Sequence, residues 1–239
     1  MELTDFKVLT FDCYGTLIDW ESGIWEALQP MIAAGNVKIG REAALETFAR
    51  HESAHESATP AMLYSDLLAL VHANMAEEWS VPADAGRDRS FGQSVPAWPA
   101  FPDSAKALEY LKQHYKLVIL SNVDRASFKA SSKKLGVEFD AIYTAEDVGA
   151  YKPDPRNFAY LLEHLKDDLG LEKKDVLHTA QSLFHDHAPA GRAGLARAWI
   201  DRRQGQAGGG ATMPLAERPA VDFYFPSIAA FVEAHKLLI

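Results

Sequence analysis

Short apolar runs alternate with longer segments of helical periodicity along most of this 239-residue chain. An apolar run of three to five residues that is bounded by turn residues predicts a strand buried on both faces of a sheet. Five runs have this pattern: Val8–Phe11, Leu117–Ser121, Ala141–Thr144, Val176–Thr179 and Ala198–Ile200.

From residue 101 onward the predicted strands alternate with predicted helices over about 104–114, 122–135 and 155–169. Asp103 is expected to cap the first of these helices, and Gly170 to end the third. This alternation of strand and helix is typical of the α/β class. It predicts a doubly wound parallel sheet, that is, a Rossmann-like core.

The stretch between the first and second predicted strands has a different pattern. Residues 19–80 show no strand signal and predict helices at about 21–34, 41–56 and 60–80, with a short one near 87–93. We therefore expect an α/β core domain made of residues 1–18 and 100–239, and a helical cap domain made of residues 19–99. An insert directly after the first strand would cover the carboxyl edge of the sheet as a lid.

Composition narrows the class of protein. Hydrophobic residues make up 48% of the chain, which is enough for a substantial core. The net charge of −9 argues against a nucleic-acid partner. A single cysteine, Cys13, excludes an intramolecular disulfide and suits a reducing compartment. The first 20 residues contain early acids and only a short apolar run, so we expect neither a signal peptide nor a membrane span, and a cytoplasmic location.

Polar side chains follow four of the predicted strands at the point where each strand ends. These are Asp12 with Thr16, then Ser121 with Asn122, then Lys152, and finally the His185-Asp186-His187 cluster. The carboxyl ends of parallel strands meet at one edge of a sheet, where ligands bind. A carboxylate there can act as a covalent nucleophile, although an Asp that caps a turn is the simpler alternative for Asp12 alone.

These motifs resemble a known family. The runs that carry the resemblance are Phe11-Asp12-x-Tyr14-Gly15-Thr16-Leu17, Leu120-Ser121-Asn122 and Tyr151-Lys152-Pro153-Asp154. In this order they resemble the signature of the haloacid dehalogenase superfamily, and the chain is most similar to its type II L-2-haloacid dehalogenase branch. The stretch from His178 to His187 is similar to a sub-branch that includes L-azetidine-2-carboxylate hydrolase.

The resemblance implies a role for each matching residue. Asp12 matches the nucleophile, and Asp186 matches the acid of the last motif. Thr16, Ser121 and Lys152 match residues that position the nucleophile or neutralise charge beside it. Asn122 matches a donor for the substrate carboxylate or the leaving group, and Arg50 matches an arginine of the cap. Tyr14, Trp20 and His185 are further candidates for substrate binding from their residue types: Tyr14 and Trp20 as walls of an apolar pocket, with packing in the cap and core as the alternative. His185 is also a candidate to help activate the hydrolytic water, and the alternative is a histidine satisfied at a helix start.

Tyr14 bears on the reaction class. The superfamily's phosphatases have a second Asp two residues after the nucleophile and bind Mg²⁺ through further acids, but here that position is Tyr14. We therefore expect no metal and no other cofactor, and an attack of Asp12 on carbon through an aspartyl-ester intermediate. The expected substrate is a small 2-substituted carboxylic acid. Halide displacement is the leading reaction; ring opening of azetidine-2-carboxylate at its C–N bond, a phosphatase and a silent binding protein are the alternatives. A homodimer is left open.

A rival motif lies in the expected cap. His51-Glu52-Ser53-Ala54-His55 matches H-E-x-x-H, which places two imidazoles on one helical face for zinc. The tandem His-Glu-Ser-Ala repeat is also typical of a solvated helix face. We expect the solvated face.

Overall fold

A computed structural model describes residues 1–239 and contains one six-stranded sheet in which every pair of neighbouring strands is parallel. The strands are β1 (Val8–Phe11), β2 (Lys116–Ser121), β3 (Ala141–Thr144), β4 (Val176–Ala180), β5 (Ala196–Ile200) and β6 (Phe223–Phe225). The α/β class and the parallel sheet predicted from the sequence are confirmed. The sixth strand was not predicted.

The order of the strands places the first one at the centre of the sheet. The order is β3-β2-β1-β4-β5-β6, so β1 lies between β2 and β4 and the direction of winding reverses there. Phe11, the last residue of β1, lies in register with Ile119 of β2 and Thr179 of β4. Ligands bind at such a switch point, outside the carboxyl ends of the strands. Asp12 is the residue that follows.

Five α-helices lie between β1 and β2 in the chain, and the first four form the inserted stretch: α1 (Trp20–Gly35), α2 (Arg41–Ala58), α3 (Tyr64–Glu78) and α4 (Ala85–Gly92). The side chain of Asp19 caps α1 by accepting a hydrogen bond from the Ser22 amide at 3.1 Å, and Asp84 caps α4 in the same way. The segment that leads into the inserted helices and the segment that returns from them lie side by side, since Ile18 pairs with Ala100 in an antiparallel bridge. The division into core and cap at residues 19 and 99 stays a prediction.

The remaining helices flank the sheet: α5 (Ser104–Leu111), α6 (Arg125–Leu135), α7 (Ala145–Val148), α8 (Arg156–Leu169), α9 (Ala188–Arg192) and α10 (Ile228–Lys236). Gly170 ends α8 in the left-handed conformation, as predicted. Asp103 is the N-cap residue of α5, as predicted, but its side chain does not cap the helix. The side chain of Asp103 makes no cap hydrogen bond; it accepts two from Arg202 and one from the Ala229 amide instead.

The alternation of side chains along β1 separates two hydrophobic clusters. Leu9 and Phe11 pack into the larger cluster, which also contains buried residues of α1 to α4 such as Phe48. Val8 and Leu165 of α8 belong to a smaller cluster on the opposite face of the sheet. The larger cluster therefore continues from one face of the sheet into the inserted helices. No helix is both long enough and apolar enough to cross a bilayer.

Candidate active site

Asp12 sits at the carboxyl end of β1 with both carboxylate oxygens fixed. Its Oδ2 accepts a hydrogen bond from Thr16 Oγ1 at 2.8 Å, and its Oδ1 accepts one from Lys152 Nζ at 2.9 Å. The turn between Asp12 and Thr16 needs glycine at Gly15, where φ is +92° and a Cβ would lie 3.0 Å from Trp20 Nε1. Burial raises the pKa of the Asp12 carboxyl group, and the negative charge of Asp186 raises it further. The ammonium of Lys152 and the hydroxyl of Thr16 oppose this increase.

Lys152 is fully buried and joins two carboxylates. Its Nζ donates to Asp12 Oδ1 at 2.9 Å, to Asp186 Oδ1 at 2.7 Å and to the Leu120 carbonyl at 3.0 Å. Burial alone would lower the pKa of the Lys152 ammonium, but Asp12 and Asp186 raise it well above its usual range. The three N–H bonds of the charged group are therefore all used within the protein.

Asp186 lies in a π-helical turn, Leu183–His187, that follows β4. Its Oδ1 accepts from Lys152 and also contacts His178 Nε2 at 2.9 Å, while its Oδ2 has no hydrogen-bond partner. Burial would raise the pKa of Asp186, but Lys152 and His178 outweigh it and hold the pKa below its ordinary value. His178 in turn contacts Thr10 Oγ1 at 2.9 Å. The role of His178 was not predicted, because a histidine inside an apolar strand gives no signal of its partner.

Asn122 and Ser121 follow β2 at the same edge. Asn122 Oδ1 accepts from the Lys152 amide at 2.7 Å, and its Nδ2 donates to the Lys152 carbonyl and to Glu56, each at 3.0 Å. Asn122 thus fixes the backbone that carries Lys152 and links it to α2. Ser121 Oγ is buried and has no partner.

The predicted site residues of the sheet edge line one cavity together with residues of α1 to α3. The cavity measures about 360 Å³ including its open mouth. It is lined by Asp12, Tyr14, Trp20, Glu52, Glu56, Tyr64, Asn122, Lys152, Ser182, His185 and Asp186. Tyr14 donates to or accepts from Ser131 Oγ at 2.8 Å, and Trp20 packs edge-to-face on Phe48. Thr16 and Ser121 stand behind this lining.

The structure places Arg50 elsewhere. Its side chain is 54% exposed and pairs with Glu78 at 2.8 Å on the outer side of α2. It does not line the cavity. The expectation that Arg50 holds the substrate therefore finds no geometric support in this structure.

Two buried glutamates of α2 face the cavity and were not predicted. Glu52 is 3% exposed and accepts from Tyr64 Oη at 2.6 Å, and Glu56 is 7% exposed and accepts from Asn122. The expectation of a solvated face is wrong for these two residues. Leu45, Phe48 and Glu52 are spaced along the chain so that they lie on one face of the helix. This spacing was the signal in the sequence that Glu52 is buried.

The zinc interpretation of the His51–His55 motif also fails on geometry. His51 Nε2 contacts Glu78 at 2.8 Å, and His55 Nε2 contacts Asn74 at 2.8 Å. The two imidazoles serve different partners on α3. No group of three or more His, Cys, Asp or Glu residues has the arrangement of a metal site.

His185 contacts the glutamates from the other side of the cavity. Its Nδ1 lies 3.2 Å from Ser182 Oγ, and its Nε2 lies 3.6 Å from Glu56 Oε2. Burial lowers the pKa of His185 to about 4, so the ring is neutral at pH 7. A charged histidine therefore does not face Glu52 and Glu56 at pH 7.

The chain belongs to the haloacid dehalogenase-like hydrolase family, whose model matches residues 6–179. It is 26% identical over 202 residues to (S)-2-haloacid dehalogenase 4A of Burkholderia cepacia, covering 82% of this chain and 84% of that one. The fold is similar to that of the defluorinating L-2-haloacid dehalogenase Rha0230 (TM-score 0.77, 22% identity, 100% of this chain and 98% of that one). It is also similar to L-2-haloacid dehalogenase of Xanthobacter autotrophicus with chloropropionic acid covalently bound (TM-score 0.77, 18% identity, 98% and 100%). The predicted family is confirmed, and the chain is a hydrolase of this family.

Proposed function

We propose that this hydrolase attacks carbon with Asp12 and forms an aspartyl-ester intermediate on a small 2-substituted carboxylic acid. The observation that carries the proposal is the Lys152 ammonium, which lies between Asp12 and Asp186 and bonds to both. The positive charge of this ammonium compensates the two carboxylates and favours their ionised forms. With Tyr14 in place of a second Asp, the proposal needs no metal and no other cofactor.

The reaction has two steps. An oxygen of Asp12 forms a bond to C2 of the substrate while the leaving group departs with its electron pair. Water then adds to the carboxyl carbon of Asp12, and the 2-hydroxy acid leaves as Asp12 is restored. The unpaired Oδ2 of Asp186 and the neutral ring of His185 both border the cavity, so each is a candidate to accept the proton of that water.

Halide is the leading choice of leaving group. The relatives are named as 2-haloacid dehalogenases, and the X. autotrophicus structure is described with chloropropionic acid covalently bound. An ester on Asp12 would be the equivalent species in this chain. Tyr14 and Trp20 would form the wall of the cavity, and residues 19–99 would act as the cap that excludes water.

One observation favours ring opening of azetidine-2-carboxylate as the second candidate. The cavity contains the carboxyl groups of Asp12, Glu52, Glu56 and Asp186 and a single ammonium, Lys152. A departing halide is stabilised by donors and cations, and Lys152 has no N–H bond to spare. A substrate with a cationic nitrogen fits this excess of acid better.

A substrate panel tests the proposal. Purified enzyme is assayed with L-2-chloropropionate, L-azetidine-2-carboxylate and p-nitrophenyl phosphate, each with EDTA and with added Mg²⁺. We expect turnover of one or both carboxylates that survives EDTA and gains nothing from Mg²⁺. Hydrolysis of the phosphate ester alone, dependent on Mg²⁺, would overturn the proposal.

A further inference from the structure

The acidic pair on α2 is buried without a cation. Glu52 and Glu56 are four residues apart on one helix, so their side chains lie on the same face as neighbours. Both line the cavity, and no Lys or Arg side chain forms an ion pair with either one. Burying carboxyl groups without a compensating charge is costly, so the pair needs a ligand, a proton or both.

Each glutamate uses one oxygen for a neutral donor and keeps the other. Glu52 Oε1 accepts from Tyr64, and Glu56 Oε1 accepts from Asn122. The second oxygen of Glu56, Oε2, lies 3.6 Å from His185 Nε2, which has no hydrogen-bond partner. The fixed oxygens orient the pair, and the remaining ones are available to a ligand.

The buried pair binds protons more tightly than exposed carboxylates do. Burial raises the pKa of Glu52 to about 8, and burial together with the charge of Glu52 raises the pKa of Glu56 well above its ordinary value. Two adjacent buried carboxyls do not ionise together easily. The titratable groups around the cavity are Tyr64 of α3, Asp12 and Tyr14 after β1, Tyr151 and Lys152 after β3, and His185 and Asp186 after β4. Among these, Lys152 is the only permanent cation, and the carboxylates of the core already engage it.

We propose that Glu52 and Glu56 form a subsite for a protonated amine, through which the enzyme also accepts small 2-carboxylates whose leaving group is a cationic nitrogen on C2. This inference rests on the proposed attack of Asp12 on carbon. One ionised carboxyl of the pair accepts the N–H bonds of the ammonium. The other stays protonated and serves as a donor.

The bond changes balance on this site. For a strained cyclic ammonium, the Asp12 oxygen bonds to C2, the C2–N bond breaks, and its electron pair goes to nitrogen. The nitrogen keeps its two protons and becomes a neutral primary amine. The protonated carboxyl of the pair then transfers its proton to give an ammonium. Water hydrolyses the ester and leaves a 2-hydroxy acid that carries the new amine, and the proton released there restores the pair.

Binding of two inert ligands tests the subsite directly. L-Proline carries a ring ammonium beside its carboxylate, and (S)-tetrahydrofuran-2-carboxylate has the same ring size with an uncharged oxygen. Calorimetry on the wild-type enzyme is expected to show a preference for proline of roughly ten- to a hundredfold. Glu52→Gln and Glu56→Gln should each reduce that preference strongly. Glu46→Gln is the matched control, since Glu46 lies on the solvent side of the same helix and should keep it.

The preference is a ratio within one protein sample, so a partly unfolded variant lowers both affinities and leaves the ratio readable. Glu56→Asp keeps the charge on a shorter arm and is expected to retain part of the preference. Equal binding of the two ligands by the wild-type enzyme, or an unchanged preference in both glutamine variants, would overturn the subsite.

Kinetics separates this inference from the proposed function. Glu52→Gln and Glu56→Gln should lower the rate with L-azetidine-2-carboxylate relative to L-2-chloropropionate by about tenfold or more, whereas Asp12→Asn should abolish turnover of either substrate. Robust chloride release with no azetidine turnover would refute the amine subsite while the role of Asp12 stands. Turnover that persists in Asp12→Asn, together with an intact preference for proline, would refute the role of Asp12 and leave the subsite in place.

Discussion

The core and the inserted helices line opposite sides of one cavity, and buried carboxyl groups have a compensating cation on the core side only. On the core side, Asp12 and Asp186 share the ammonium of Lys152 within 2.9 Å. On the side of α2, Glu52 and Glu56 have only neutral donors. A compensated charge stays ionised and suits a nucleophile, whereas an uncompensated pair takes up protons or a cationic ligand. We infer that the core performs the substitution and the inserted helices select what leaves.

The largest effect should come from removing the nucleophile on the core side. Asp12→Asn keeps the shape of the side chain and its bond to Thr16 but removes the charge that attacks carbon. We expect a loss of kcat of roughly 10⁴-fold or more, as for other covalent nucleophiles. Steady-state assays with the best substrate of the panel measure it. A loss of less than about tenfold would mean that Asp12 is not the attacking group.

Removing Lys152, the shared cation, should have the next largest effect, on stability as well as on activity. Lys152→Met leaves two buried carboxylates without their shared cation, and such a change costs about 3–5 kcal/mol of unfolding free energy. Lys7→Met is the control, because the Lys7 side chain is 67% exposed in its pair with Asp175 and should cost less than about 1 kcal/mol. Urea denaturation of both variants gives the two values. Equal costs would contradict the contrast between the two sides.

The acidic pair should make stability depend on pH in the opposite sense to a salt-bridged carboxylate. The pKa of Glu52 is about 8 in the folded chain and near its ordinary value of 4.5 when unfolded. Between those values the folded state binds the extra proton, so stability falls as pH rises from about 4.5 to about 8. Glu52→Gln should flatten this slope, and Glu46→Gln should not. Thermal unfolding at several pH values compares them, and an identical slope in Glu52→Gln would count against the pair.

The smallest effect should come from the arginine that lies outside the cavity. Arg50→Ala removes an exposed ion pair with Glu78, which contributes at most about 1 kcal/mol. We expect KM and kcat within about twofold of the wild-type values. A rise in KM of an order of magnitude would show that Arg50 reaches the substrate in another arrangement of α2.

The sequence predicted the core side well for a topological reason. Asp12, Lys152 and Asp186 each follow a strand of a parallel sheet, and parallel strands end at one edge whatever their order. No packing detail was needed to bring these three together. The resemblance to a known family then supplied roles for them.

The side formed by α2 could not be predicted in the same way. Charged residues are spread around this helix, so the amino-acid sequence alone does not show whether the side chain of Arg50 or that of Glu52 faces the cavity. Packing against α3 and the sheet decides it, and the stripe from Leu45 through Phe48 to Glu52 was the only local sign. Asp103 illustrates the same limit, because its partner Arg202 lies 99 residues away in the chain.

The most direct test of the account is the fate of a water oxygen in a single turnover. Enzyme in excess over substrate is reacted in ¹⁸O-labelled water, and the peptide that contains Asp12 is analysed by mass spectrometry. If Asp12 forms an ester with the substrate carbon, the first turnover labels the Asp12 carboxyl group and leaves the product hydroxyl unlabelled. Label that enters only the product on that turnover would mean that water attacks carbon directly, and the central role given to Asp12 would be wrong.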